Sequence, residues 1–223
     1  MILKITGINK IASTAASTLF FYMLVTIFHF FKVSFIIGSW AAFFSGTSML
    51  TPLVGAWAGC AGSCGMLGLV LLKHLFLGGI VSAKWLACCV PGFAASLYWG
   101  NKSALVRVGI PMVCMVLFAV HPVGFQALPY ALYWLIPFGL FFVRRKTIFL
   151  ESLGSTFIAH AVGSVIWLYT VPMHSSVWLS LIPLVLVERL LFALGMTGLY
   201  YVLSWLYKKI NSAVRLPILS ART

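Results

Sequence analysis

IASTAASTLFFYMLVTIFHFF, residues 11–31, contains no Asp, Glu, Lys or Arg. About 20 apolar residues in a helix span the hydrocarbon core of a bilayer, and this run meets that length. Lys4 and Lys10 precede it and Lys32 follows it. A secretory signal begins in the same way, but its apolar core runs about 7–15 residues and ends at a small-residue cleavage site. This run is longer and no such site follows, so it predicts a retained first transmembrane helix.

The same pattern repeats along the chain. Further apolar segments occupy 34–49, 52–72, 85–99, 108–120, 127–143, 149–170 and 177–207. Segment 34–49 is short and ends in Gly46, Thr47, Ser48, Thr51 and Pro52, which predicts a broken or re-entrant piece. Segment 85–99 is also short and is interrupted by Pro91-Gly92. The last two segments form a hairpin turning at 172–176. The apolar runs are continuous, with no period-two alternation, which predicts helices rather than a β-barrel. The expected fold class is therefore all-α: a single polytopic membrane bundle over 1–223, with six to eight crossings. A short N-terminal segment, 1–10, and a tail, 208–223, lie outside the bilayer.

Composition agrees. Hydrophobic residues make up 62% of the 223 and charged residues only 8%, against about 45–50% and about 25% in soluble domains. A water-facing surface is excluded, and so is disorder, which needs low hydrophobicity. The net charge of +13 fits cytoplasmic loops and anionic headgroups better than nucleic acid, because no basic run is interleaved with exposed polar sequence. With an even number of crossings both termini share one side. Lys4, Lys10, Lys102, Arg107, Arg144, Arg145, Lys146, Lys208, Lys209, Arg215 and Arg222 then fall inside, and Lys32, Lys73 and Lys84 outside. Eleven against three predicts cytoplasmic termini and a place in the cytoplasmic membrane of a bacterium. The cysteines, Cys60, Cys64, Cys88, Cys89 and Cys114, form no CxxC pair and read as small interior residues. No metal and no cofactor is expected.

Two sets of residues draw a functional reading. Ala12 and Ala16 form an AxxxA pair, and Gly55, Gly59 and Ser63 repeat the four-residue spacing in 52–72. Small residues on one helix face let backbones approach closely, either within the bundle or against a partner helix. The second set is ionisable. The chain has only two acids, Glu151 and Glu188. Glu151 follows Arg144-Arg145-Lys146 and is expected at the aqueous boundary. Glu188 and Arg189 lie mid-segment, where a charge costs roughly 2.5–3.5 kcal/mol. Neighbours along a helix point about 100° apart, so each is expected to need a partner on another helix. His160 lies as far before the turn at His174 as Glu188 lies after it, with Ser164 one turn on and Trp167 close to that line. His160, Ser164, Trp167, Glu188 and Arg189 are thus expected to line one cavity. A Ser164–His160 dyad would suggest a hydrolase, but there is no GxSxG elbow and no aspartate in the chain.

The pair Ala12-x-x-x-Ala16, the stretch Thr51-Pro52-Leu53-Val54-Gly55-Ala56-Trp57-Ala58-Gly59 and the overall size and topology resemble the membrane-embedded substrate-binding (S) component of energy-coupling factor transporters. The resemblance implies a binding subunit for a vitamin or similar micronutrient. It would work with a transmembrane coupling subunit, docked at Ala12, Ala16, Gly55 and Gly59, and with two cytosolic ATPases. A self-sufficient carrier or channel is the alternative, and an intramembrane enzyme a more distant one.

Overall fold

The computed structural model describes residues 2–30 and 46–220, with side chains over 11–30, 46–82 and 85–209. Lys32 and the expected segment 34–49 as far as position 45 lie outside the described residues. Every regular element among those described is helical. In chain order they are α1 (Ile2–Phe28), α2 (Thr47–Leu50), α3 (Leu53–Phe76), α4 (Ala83–Gly100), a π turn (Leu105–Gly109) running into α5 (Ile110–Val120), α6 (Pro122–Gln126) and α7 (Leu128–Ala131). A 3₁₀ turn (Leu132–Trp134), α8 (Leu135–Phe141), α9 (Ile148–Thr170), α10 (Ser175–Ser180) and α11 (Ile182–Ser220) complete the chain.

Among the described residues four stretches are long and apolar enough to cross a membrane: Ile11–Phe28, Leu53–Phe76, Ile148–Thr170 and Ile182–Lys209. Leu105–Val120 and Leu128–Phe141 are apolar but shorter. The surface matches a lipid solvent. Met23, Leu72, Val116, Leu191 and Leu194 are all exposed, although in water such side chains would be drawn inside.

The organising helix is α9, which contacts α4, α5, α8 and α11. It starts where the Thr147 side chain accepts the Leu150 N–H at 3.2 Å and stops at an extended Val171 before Pro172, a residue that disfavours helix in its predecessor. Its small residues set the spacing. Ser155 Oγ donates to the Ala95 carbonyl at 3.0 Å, and any side chain at Gly154 would run into the Tyr98 phenol. On the other side Thr197 Oγ1 donates to Ser152 Oγ at 3.1 Å. That bond fixes the register of the antiparallel α9–α11 pair: eight residues along α9 from Ser152 is His160, and eight back along α11 from Thr197 is Arg189.

The expected helix 52–72 is present but broken. Gly59 adopts φ 63° and ψ −163°, a region essentially closed to residues with a side chain. The break has a geometric purpose. Gly55 abuts the Ser96 carbonyl, and Ser63 Oγ lies 2.7 Å from Ser96 Oγ. In a straight helix residues eight apart are about 12 Å apart along the axis. Folding at Gly59 brings both onto Ser96, with Gly100 against the break itself.

Two expected spans are subdivided. Segment 127–143 becomes α7, a 3₁₀ turn and α8, because Pro129 and Pro137 supply no N–H to a continuous ladder. Segment 177–207 becomes α10 and α11, parting at Leu181 ahead of Pro183. The cysteines are all free, but Cys64 and Cys88 face outward, and only Cys114 is buried, correcting their reading as interior residues.

Candidate functional site

His160 projects from the middle of α9 into a cluster that also holds Tyr130, Trp134, Phe118 and Trp178. Its two ring nitrogens are both engaged. Trp134 Nε1–H donates to His160 Nδ1 at 3.1 Å. An indole nitrogen only donates, so Nδ1 carries no proton and the neutral ring holds its proton on Nε2. That proton points at the Tyr130 hydroxyl, 2.7 Å away. The Tyr130 O–H is then free to donate to Ser164 Oγ at 3.2 Å. The result is a directed chain, Trp134 to His160 to Tyr130 to Ser164, enclosed by edge-to-face aromatic contacts among Phe118, Trp134, Tyr130 and Trp178. The buried Trp178 Nε1–H has no acceptor.

A direct Ser164–His160 dyad is not made. Tyr130 stands between the two side chains, so His160 has no direct hold on the Ser164 proton.

Arg189 is buried and lies level with His160 in the register of α9 and α11. Its pairing differs from the expectation. Arg189 Nη2 donates to Glu188 Oε2 at 2.7 Å, and its guanidinium lies over the Phe192 ring at 4.7 Å. The two side chains leave the helix about 100° apart but are long enough to swing together. Glu188 and Arg189 therefore pair with each other, and the carboxylate that Arg189 meets is Glu188 itself.

Trp167 is not part of this group. It lies on the outer face of α9, 39% exposed, and its Nε1–H points to the Met173 sulfur at 3.0 Å. The buried line continues instead from Ser164 to Leu168. The space beside His160 is also filled rather than open, since Tyr130, Trp134 and Phe157 rings surround it. One cleft of ≈ 520 Å³ opens near this cluster, lined by His121, Leu168, Tyr169, Met173 and His174 among others. Its Leu168 wall belongs to the same apolar cluster as Tyr130 and Trp178. A second, apolar groove of ≈ 620 Å³ lies between α1 and α3, at Tyr22, Leu69 and Phe76.

The small-residue positions divide. Gly55 is buried against α4, and Gly59 is the break in α3, half-buried with Gly100 of α4 against its backbone. On α1 the close contact is made by Thr18, which sits against Gly62 and Gly65. Ala12 and Ala16 lie on the other, exposed face of α1.

A second charged centre departs from the sequence expectation. Glu151 is the paired helix-end residue that one reading of the sequence allowed, but it and Arg107 are buried rather than at the aqueous boundary, Arg107 to 1%. Arg107 Nη1 and Nη2 donate to Glu151 Oε1 and Oε2 at 3.2 and 2.6 Å. Nη2 also donates to the Tyr98 carbonyl at 3.2 Å, and the guanidinium stacks 4.2 Å from the Tyr98 ring centroid. Lys102 adds a third cationic contact, 3.1 Å from Glu151 Oε2. Nearby, burial first and then the Arg107 charge push the Lys146 ammonium below the usual lysine range.

No family model, curated protein or solved structure matches the chain.

Proposed function

We propose that the chain is a membrane-embedded solute-binding subunit of a transport system, seated in the cytoplasmic membrane of a bacterium. The observation that carries this reading is the Trp134–His160–Tyr130–Ser164 chain beside the Arg189–Glu188 pair, buried in helices otherwise built from apolar residues. Polar and ionisable groups at mid-membrane are costly and concentrate where solutes or protons are handled. The His121–His174 cleft is the mouth, Leu168 the partition, and the Trp178 N–H the donor awaiting an acceptor. The solute is small and vitamin-like. His160, Ser164, Glu188 and Arg189 border its site once the Tyr130, Trp134 and Phe157 rings that fill the space beside His160 give way.

The four long helices, with α4 running antiparallel along α9 from Pro91–Gly163 to Tyr98–Gly154 and with Leu105–Val120 and Leu128–Phe141 shortened by π and 3₁₀ turns, support a bundle of six to eight crossings. Both termini are cytoplasmic. In support, Lys102, the Arg144–Lys146 run and Lys208-Lys209 gather at one end of the bundle, because Thr197 is level with Ser152 and Gly154 with Tyr98. A reporter enzyme fused after Thr223 should read as cytoplasmic, and an external reading overturns the orientation.

In this reading energy comes from a separate coupling subunit and cytosolic ATPases. The exposed Ala12–Ala16 face of α1 is where the coupling subunit docks. Replacing both alanines by leucine should abolish partner recovery in a pull-down while leaving solute binding intact, since close backbone approach is what small residues permit. Undiminished recovery would place the partner elsewhere. The reading as a whole is tested by uptake. Cells expressing the chain with its coupling module should deplete a small solute from the medium, and cells with the chain alone should not. Depletion by the chain alone would favour a self-sufficient carrier.

A further inference from the structure

We propose that the basic end of the bundle holds the phosphate of an anionic phospholipid at a defined site formed by Lys102, Arg144, Arg145 and Lys146. This rests on the chain crossing a membrane and is independent of any transport role.

The charges do not balance within the protein. The chain has two acids, and Glu188 is committed to Arg189. At this end the one acidic side chain, Glu151, already holds Arg107 and Lys102, while Arg144, Arg145 and Lys146 follow one another just before α9. Arg107 already satisfies Glu151 through two parallel contacts and is buried. Lys102, by contrast, has a side chain that is 62% exposed while touching Glu151, and Arg144 and Arg145 are exposed. Lys102 reaches Glu151 in the first turn of α9 at 3.1 Å, and the N-cap of that helix, Thr147, directly follows Lys146, so cations from the 101–104 and 143–147 connections share one locality. Like charges held together at the edge of a low-dielectric bundle need a counter-ion, and no further carboxylate side chain exists in the protein.

The surroundings select a lipid rather than a free anion. Leu105 is 78% exposed and Phe142 65% exposed. They flank the cations on the π turn and at the end of α8, two elements in contact. An amphiphile matches this pattern, with its phosphate over the cations and its acyl chain along Leu105 and Phe142. An acidic protein partner would leave those two apolar side chains unexplained.

The test uses the full chain, purified in detergent and offered defined lipids, with bound lipid counted by native mass spectrometry. Wild type should retain phosphatidylglycerol in preference to phosphatidylcholine. Arg144→Gln combined with Arg145→Gln and Lys146→Gln leaves the Arg107–Glu151 pair untouched. At the usual worth of a surface cation near anionic lipid, the triple variant should lose roughly a hundredfold of that preference. Lys73→Gln, at a different connection, should lose none. Equal retention of both lipids by wild type, equal loss in Lys73→Gln, or displacement of phosphatidylglycerol by excess inorganic phosphate would each overturn the proposal, the last by marking a free-phosphate site. Thermal unfolding of the triple variant, expected to match wild type, separates a lost lipid site from a lost fold.

Discussion

Arg107→Ala should cost the protein about 3–5 kcal/mol, because it leaves the buried Glu151 carboxylate with only the largely exposed Lys102 ammonium as counter-charge. The loss goes beyond one ion pair. Arg107 also donates to the Tyr98 carbonyl and covers the Tyr98 ring, so the seam between α4, the π turn and α9 loosens together. On the usual scaling this lowers the unfolding temperature by on the order of 10 °C in a detergent melt. Glu151→Ala should act comparably by stranding Arg107. Changing both residues to leucine should recover most of the loss, since no buried charge is then left alone. A melt of Arg107→Ala indistinguishable from wild type would mean that the pair is wet and contributes little.

The second large effect is expected at Gly55. A Cβ there would enter the space of the Ser96 carbonyl and the Gly100 backbone. Backbone cannot turn aside as a side chain can, so Gly55→Val must push α3 off α4 and break the Ser63–Ser96 contact. Overpacking of this kind costs about 1–3 kcal/mol, more where backbone is displaced. Gly68 is the natural comparison, because a methyl group added there would meet nothing within 4 Å. Gly68→Ala should melt at or slightly above wild type, because alanine favours helix. Equal melts for Gly55→Val and Gly68→Ala would show that α3 and α4 do not approach as described.

The helices are largely legible in the sequence, and the reason is physical. In lipid every backbone N–H and C=O must be satisfied within the helix, so long apolar runs leave one solution. The ends of 149–170 agree with α9 to within one residue. Interruptions are harder to place. Gly59 reads as one small residue among several, and only the convergence of Gly55 and Ser63 on Ser96 shows why the helix folds there. The depth match of the hairpin is also legible, since counting outward from His174 puts His160 and the 188–189 pair at the same level. The side-chain pairings are not. Backbone direction suggests that Glu188 and Arg189 diverge, but the reach of two long side chains overrides it. Tyr130 and Trp134, one turn apart, do not stand out because aromatic residues are abundant here and fit interface belts equally well. Arg107 reads as a loop residue because it sits between two apolar runs, and nothing in its neighbours reveals that a π turn carries it inward.

The most direct measurement is the identification, by mass spectrometry, of small molecules that remain with the purified chain, for wild type and for Tyr130→Phe. Removing one hydroxyl breaks both the His160 and the Ser164 contacts while keeping the ring that fills the cluster. A solute-binding subunit should carry a small molecule with the wild type and lose most of it in Tyr130→Phe, with the unfolding temperature of the solute-free protein little changed. A wild-type protein that carries no solute under conditions of active uptake, or a Tyr130→Phe variant that retains it fully, would contradict the assignment of this buried polar chain as the binding site.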